Sequence, residues 1–156
     1  YGKEFWKQQK VEDFTAPLEL NSRELRELDI RNGELLVYGR IPVMVSAQCI
    51  ERTTSGCSKK PGVRVLQDRR DEKFFACNYC DLCYNVIYTE NPINLRQEWD
   101  RVNELYPKMC RIQFTLEDKE QTETVLNTFF VTDEKTVARG KEDTDFTTGH
   151  FNRGII

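Results

Sequence analysis

The sequence contains a single histidine and no long apolar run. A protease needs an activated nucleophile or an activated water, and the one candidate base of this type is His150. Neither a Gly-x-Ser-x-Gly elbow nor a His-Glu-x-x-His pair occurs. No apolar stretch approaches the ~20 residues that a membrane helix requires. The sequence therefore predicts no contact with a membrane, and it offers no familiar hydrolase motif.

The chain also lacks a strong charge and a secretion signal. A formal net charge of -3 gives no bulk attraction to nucleic acid, so a contact with RNA would require a local basic patch. The opening segment, YGKEFWKQQK, has neither the pattern of a secretory signal nor an initiator methionine. We therefore expect a cytoplasmic protein whose N-terminal half is missing from this sequence. In the reducing cytoplasm, clustered cysteines more often bind metal or do redox chemistry than form structural disulfides.

The hydrophobic pattern predicts alternating strands and helices in one domain, residues 1–156. A capping box, Asn21 with Glu24, marks the start of a helix. Strands are predicted at residues 14–20 and in ELLVYGR, PVMVSAQ, YNVIYT and CRIQFTLE, and helices in NPINLRQEWDRVNELYP and at residues 119–130. Residues 49–75 are predicted to be irregular apart from an edge strand in VRVLQDR, and residues 133–145 to be a polar loop. This order is typical of parallel βα units, and so few strands indicate the later part of a larger α/β fold.

The six cysteines are the most informative feature. Cys77, Cys80 and Cys83 recur at intervals of three, a spacing found in ferredoxin ligand runs. Cys49 and Cys57 lie upstream on either side of a short loop, and four thiolates suffice for a closed metal site. Residues 49–83 are therefore predicted to be a cysteine-rich metal-binding segment. Spacing alone leaves zinc and an iron–sulfur cluster equally open.

Three motifs together resemble the peptidase U32 family, the collagenase-like proteases. They are ELLVYGRIPVMVSAQCIERTTSGC, DRRDEKFFACNYCDLCYNVIY and the terminal TTGHFNRGI. The resemblance extends from APLELNSRELREL to the end of the chain. It implies an α/β fold that forms the later part of a TIM-type (β/α) barrel with an irregular cysteine-rich insertion. It also implies that the chain is the C-terminal portion of a U32-like catalytic region.

The resemblance implies two different activities. Some members of the family are classed as proteases, that is, hydrolases acting on protein. Others carry a four-cysteine [4Fe–4S] cluster and hydroxylate RNA bases or a quinone precursor without oxygen, with prephenate implicated as the donor. By that resemblance the ligands would be Cys49, Cys57, Cys80 and Cys83, with Cys77 as the first substitute. The implied partners are RNA (rRNA or tRNA) or a protein substrate, and a small anionic donor.

Five further residues are candidates for catalysis. His150 and Arg153 lie in the terminal motif, where a guanidinium would suit an anionic donor. Tyr38 and Arg40 stand where many relatives have a histidine-containing motif, and Glu19 follows a predicted strand, as catalytic groups do in barrel enzymes. Each also has a structural explanation, such as a helix N-terminal charge for Glu19. The basic stretch beside the cysteines is a candidate phosphate contact, although such runs are usually solvated; it contains Lys59, Lys60, Arg64, Arg69 and Arg70.

We therefore expect an iron–sulfur enzyme that hydroxylates an RNA base without oxygen. One alternative is a protease, as the family name implies. A second is a zinc-stapled structural or RNA-binding module without chemistry of its own.

Overall fold

The computed structural model describes residues 2–130 and 146–153, so the loop predicted at residues 133–145 lies outside the described residues. The chain divides into two compact units. Unit 1 consists of Tyr1–Gly39 with Ile93–Ile156, and unit 2 consists of Arg40–Pro92.

The described helices and strands alternate irregularly along the chain. In sequence order they are α1 (Gly2–Gln8), β1 (Phe14–Thr15), α2 (Ser22–Leu28), β2 (Gly33–Gly39), β3 (Pro42–Ser46), α3 (Ile50–Thr54), β4 (Gly62–Gln67), β5 (Lys73–Tyr79), β6 (Tyr84–Thr89), β7 (Ile93–Asn94), α4 (Trp99–Asn103), β8 (Met109–Ile112) and α5 (Lys119–Phe130). Short 3-10 turns at Ile30–Asn32 and Arg96–Glu98 precede β2 and α4.

Unit 1 is organised around β2, whose sequence GELLVYG is buried along nearly its whole length. Continuous apolar runs of this kind suit a central strand that is covered on both faces. β1 and β8 pair with β2 in parallel, and β7 pairs with its end in antiparallel orientation. The carboxyl ends of β1, β2 and β8 therefore lie at one edge of the sheet. The most deeply buried apolar side chains of this unit are Leu25, Ile30, Val37 and Val102.

Unit 2 is a four-stranded antiparallel sheet with the order β3-β6-β5-β4. Side chains alternate between the two faces of a strand, so Ala76, Asn78 and Asn85 share the face on which α3 lies, as the contact of Glu51 with Asn78 shows. Ala76 and Asn85 are completely buried there. Short connections are possible because antiparallel neighbours need only hairpins.

Several helices and strands predicted from the sequence are present in the structure, and other predictions are wrong. The capping box at Asn21, the helix at residues 119–130 and the edge strand in VRVLQDR are confirmed. The strand predicted at residues 14–20 is confined to Phe14–Thr15, because Pro17 cannot donate to a ladder. The irregular interpretation of the rest of residues 49–75 is wrong, since this stretch also contains α3 and the start of β5.

The parallel βα pattern holds only in unit 1. The two described sheets are not closed into a barrel, and the partial TIM-type barrel stays a prediction. None of the described helices has the length and apolar character needed to cross a membrane.

Candidate metal centre

Cys80 and Cys83 lie in the four-residue loop of the β5–β6 hairpin. The loop is closed by backbone bonds from Leu82 N to Tyr79 O and from Cys83 N to Cys80 O, at 3.3 and 3.4 Å. Cys83 has a φ of 54°, in the left-handed region that glycine or asparagine normally occupies. A cysteine in this conformation is an outlier of the kind found at functional positions. The backbone of Cys83 thus adopts a conformation that glycine would adopt with less strain.

Cys49 and Cys57 lie on either side of α3. Cys49 is the N-cap residue of the helix and makes no side-chain capping bond, although serine, threonine, aspartate or asparagine would normally stand there. Gly56, with a φ of 87°, turns the chain before Cys57. The sequence thus uses both ends of a five-residue helix to present thiols.

These four cysteines line one cavity in unit 2, with a volume of about 850 Å³. Cys77 is not among the described residues that line it. It lies within β5, opposite Val63 and Val86, on the face of the sheet away from Asn78. The set that borders the cavity is therefore the set that the family resemblance implied, and the substitute Cys77 stands apart from it.

The pKa of the Cys80 thiol also reflects how close the cavity cysteines lie to one another. Burial raises the pKa of the Cys80 thiol, and the negative charges of Glu51, Cys49, Cys57 and Cys83 raise it further. Burial alone raises the pKa of Cys77. Burial and the nearby negative charges therefore both disfavour the thiolate form of Cys80 in the metal-free protein.

Four cysteine thiolates can hold either a zinc ion or an iron–sulfur cluster, and the two groups require different distances between the sulfurs. Within residues 2–130 and 146–153, no three His, Cys, Asp or Glu side chains converge closely enough for a single metal ion. With Zn–S bonds of about 2.3 Å, a tetrahedral zinc would hold its sulfurs roughly 3.8 Å apart. A cubane cluster takes one thiolate on each of four irons and separates them further. Four cysteine thiolates match both groups in composition, so the identity of the metal stays a prediction.

Two cations also line the cavity, Arg52 and Lys59. The rest of the basic stretch is distributed differently from the prediction. Arg64 is paired with Glu51 at 3.3 Å. Arg69 and Arg70 lie in the β4–β5 turn, at the end of the sheet opposite to the hairpin that carries Cys80, because Gly62 pairs with Asn78 and Gln67 with Lys73. The prediction that Arg69 and Arg70 lie beside the cysteines is therefore wrong.

A second group of candidate residues lies in unit 1, at the carboxyl edge of its parallel strands. Tyr38 is buried near the end of β2, and its hydroxyl lies 3.3 Å from Glu117 Oε1. The other carboxylate oxygen of Glu117 accepts from the amides of Thr115 and Leu116 at 2.7 and 3.0 Å. Glu19 is exposed in the turn that follows β1. Catalytic groups commonly occupy this edge of parallel strands.

His150 and Arg153 lie in a turn of unit 1, where Arg153 N donates to His150 O at 3.1 Å. The turn is held by buried Phe151, whose carbonyl accepts from Ser22 N at 2.8 Å. Thr147, just before the turn, bridges to Ile93 in β7. His150 is half-buried and Arg153 exposed, so both reach the surface of this unit.

Arg40 belongs to unit 2 and has structural contacts there. Its guanidinium donates to the carbonyl of Glu90 and lies 5.2 Å from the ring of Phe75. These contacts fasten the start of β3 to the end of β6. They give Arg40 a structural role in unit 2, and its role in catalysis stays a prediction.

Two residues of these sites were not identified from the sequence, Glu51 and Glu117. Glu51 lies two positions after Cys49, so the metal-binding segment could have pointed to it. Glu117 stands in the acidic stretch TLEDKE, and nothing in the sequence sets it apart from its acidic neighbours. Its role depends on the Tyr38 contact, which joins residues 79 positions apart.

No protein-family model matches the chain, and no curated protein or solved structure matches it significantly.

Proposed function

We propose that this chain is part of a U32-like iron–sulfur enzyme, with a [4Fe–4S] cluster held by Cys49, Cys57, Cys80 and Cys83. The observation that supports this proposal is the cavity of unit 2, which these four side chains border and Cys77 does not. Cys83 itself occupies a position with positive φ, where glycine would be less strained.

The proposed reaction is the oxygen-independent hydroxylation of an RNA base in the cytoplasm. When bound, the cluster would supply the redox chemistry, while the protein supplies binding and orientation. Arg52 and Lys59 would attract an anionic donor such as prephenate or the phosphates of RNA to the cysteine cavity. Within unit 1, Tyr38, His150 and Arg153 stay candidates for contacts with substrate.

The metal is tested by anaerobic purification of the full-length protein, with iron, sulfide and zinc assays and visible absorption. We expect iron and sulfide in equal amounts and a broad charge-transfer absorption. Cys80→Ala should lose both, whereas the matched variant Cys77→Ala should retain them because its side chain lies outside the cavity. Stoichiometric zinc without iron would contradict the proposed cluster and support the alternative of a zinc-stapled module.

The hydroxylase and peptidase alternatives are separated by activity on the same preparations. Hydroxylation of RNA should require the donor and be lost in Cys80→Ala. Peptide cleavage that persists in Cys80→Ala would show that proteolysis does not depend on the cysteine site. It would support the protease alternative.

A further inference from the structure

Glu51 occupies an unusual position in the cysteine site. It lies in α3, two residues after Cys49, and only 13% of its side chain is exposed. Oε2 accepts from Asn78 Nδ2 at 3.2 Å, and Oε1 lies 3.3 Å from Arg64 Nη2. Hydrogen bonding by the Ser58 side chain lowers the pKa of the same carboxylate. The carboxylate is thus held by three donors from different segments.

Each donor belongs to a segment that bears or supports a cysteine. Ser58 directly follows Cys57, and Asn78 lies two residues before Cys80. Arg64 extends from β4 and also donates to Ser55 Oγ, at the C-terminal end of α3, at 3.0 Å. Since Glu51 itself stands on the helix that follows Cys49, one side chain connects the segments of three cavity cysteines.

Electrostatics alone would not place a carboxylate here. Glu51 is close enough to Cys80 for its charge to oppose thiolate formation, and an anionic centre gains nothing from another negative charge. Burying a carboxylate is favourable only when it is paired and hydrogen-bonded, a condition that Arg64, Asn78 and Ser58 fulfil. We therefore explain the presence of the Glu51 carboxylate by the chain segments that its hydrogen bonds hold together.

We propose that Glu51 is a positioning residue that aligns the Cys49, Cys57 and Cys80 segments around a common centre. The inference rests on the proposed function, in which that centre is the [4Fe–4S] cluster. Outer-shell groups of this kind orient metal ligands without touching the metal, and their loss typically lowers metal affinity about 10–100-fold. Glu51 contributes no atom to the reaction.

The test compares Glu51→Ala and Glu51→Gln with the wild-type full-length protein under anaerobic conditions. Glu51→Ala removes all three contacts, whereas Glu51→Gln keeps one acceptor oxygen but places an amide group where a second acceptor is needed. The matched control is Glu90→Ala. Glu90 pairs with Lys73 at 3.5 Å at the opposite end of the same sheet, so its removal changes charge without touching the cysteine segments.

The readouts are the rate of iron loss to a chelator and the reduction potential of the bound cluster. We expect iron loss to accelerate about 10-fold or more in Glu51→Ala, less in Glu51→Gln, and not in Glu90→Ala. The potential should rise in Glu51→Gln because a nearby negative charge is removed. A wild-type rate and potential in both Glu51 variants would overturn the positioning role, as would an equal effect of Glu90→Ala.

A metal-free measurement separates this inference from the proposed function. If wild-type protein binds no iron, the proposed cluster fails, and hydrogen exchange then decides the role of Glu51. Amides of residues 49–58 should exchange at least about 10-fold faster in Glu51→Ala than in Glu90→Ala, because α3 has lost its ties to β4 and β5. Unchanged exchange in this segment would overturn the positioning role independently of any metal.

Discussion

The side-chain nitrogen of Asn85 lies 2.7 Å from the carbonyl oxygen of Gln48. Asn85 is completely buried in β6, and Gln48 immediately precedes Cys49. This bond fastens the chain that presents the first cysteine to the middle of the unit 2 sheet. It links the fold of this unit directly to the geometry of the candidate metal centre.

Asn85→Ala should therefore destabilise the protein. The substitution removes the bond to the Gln48 carbonyl, which keeps Ser46 Oγ as a donor at 3.2 Å, so the expected loss is the net contribution of one hydrogen bond, about 0.5–1.5 kcal/mol. Urea unfolding measures the loss, with the exposed Asn103→Ala as a control that should remain within about 0.5 kcal/mol of wild type. Equal stabilities of the Asn85 and Asn103 variants would contradict the importance of this bond.

Cys83→Gly should separate folding from metal binding. A non-glycine residue in the left-handed region costs about 1–2 kcal/mol, and glycine loses about 0.5–1 kcal/mol through its flexible unfolded state. The free energy of unfolding of the metal-free variant should therefore stay within about 1 kcal/mol of wild type, while iron binding is lost. Chemical unfolding and iron analysis of one preparation test both parts. Full iron content in Cys83→Gly would remove Cys83 from the ligand set.

Asp29 should make stability depend on acid pH. Its carboxylate accepts from Arg31 Nε at 2.6 Å and Nη2 at 2.9 Å, and this hydrogen bonding lowers the Asp29 pKa from 3.8 to about 2. Because the folded pKa lies below the unfolded one, the contribution is complete above the unfolded pKa and is lost as pH falls through about 2.

The difference in unfolding free energy between wild type and Asp29→Asn should thus be constant at neutral pH and shrink on acidification. Urea unfolding across this pH range measures it. In an Arg31→Ala background the pH-dependent part should largely disappear, since the partner that lowers the pKa is gone. A difference that does not change with pH would show that the Arg31 contact contributes nothing.

Gly39→Ala should be among the most damaging single substitutions in unit 1. Gly39 has a φ of 148°, and a Cβ there would lie 2.8 Å from the backbone oxygen of Gln113. Backbone strain and overpacking each cost about 1–3 kcal/mol, so a loss of about 2–6 kcal/mol is expected in thermal or urea unfolding. Gly62→Ala is the matched control, because nothing lies within 4 Å of its added Cβ. Comparable losses in both variants would argue against the close approach.

Much of the local structure could be read from residue patterns. The capping box of Asn21 and Glu24 specified the start of α2, and the apolar spacing in residues 119–130 specified α5. The segment around Cys49 and Cys57 was harder, because α3 has five residues and no fully buried apolar side chain. A helix that short shows no apolar period, so the residue pattern does not reveal it.

By itself, the sequence determined the composition of the candidate metal centre, five cysteines in residues 49–83, and the positions of its capped and strongly periodic elements. Only the tertiary structure decided that Cys49, Cys57, Cys80 and Cys83 share a cavity, that Cys77 faces away from it, and that Glu51 connects their segments. The reason is strand register: a side chain's face depends on its position in a paired strand, and pairing joins residues that are distant in the sequence.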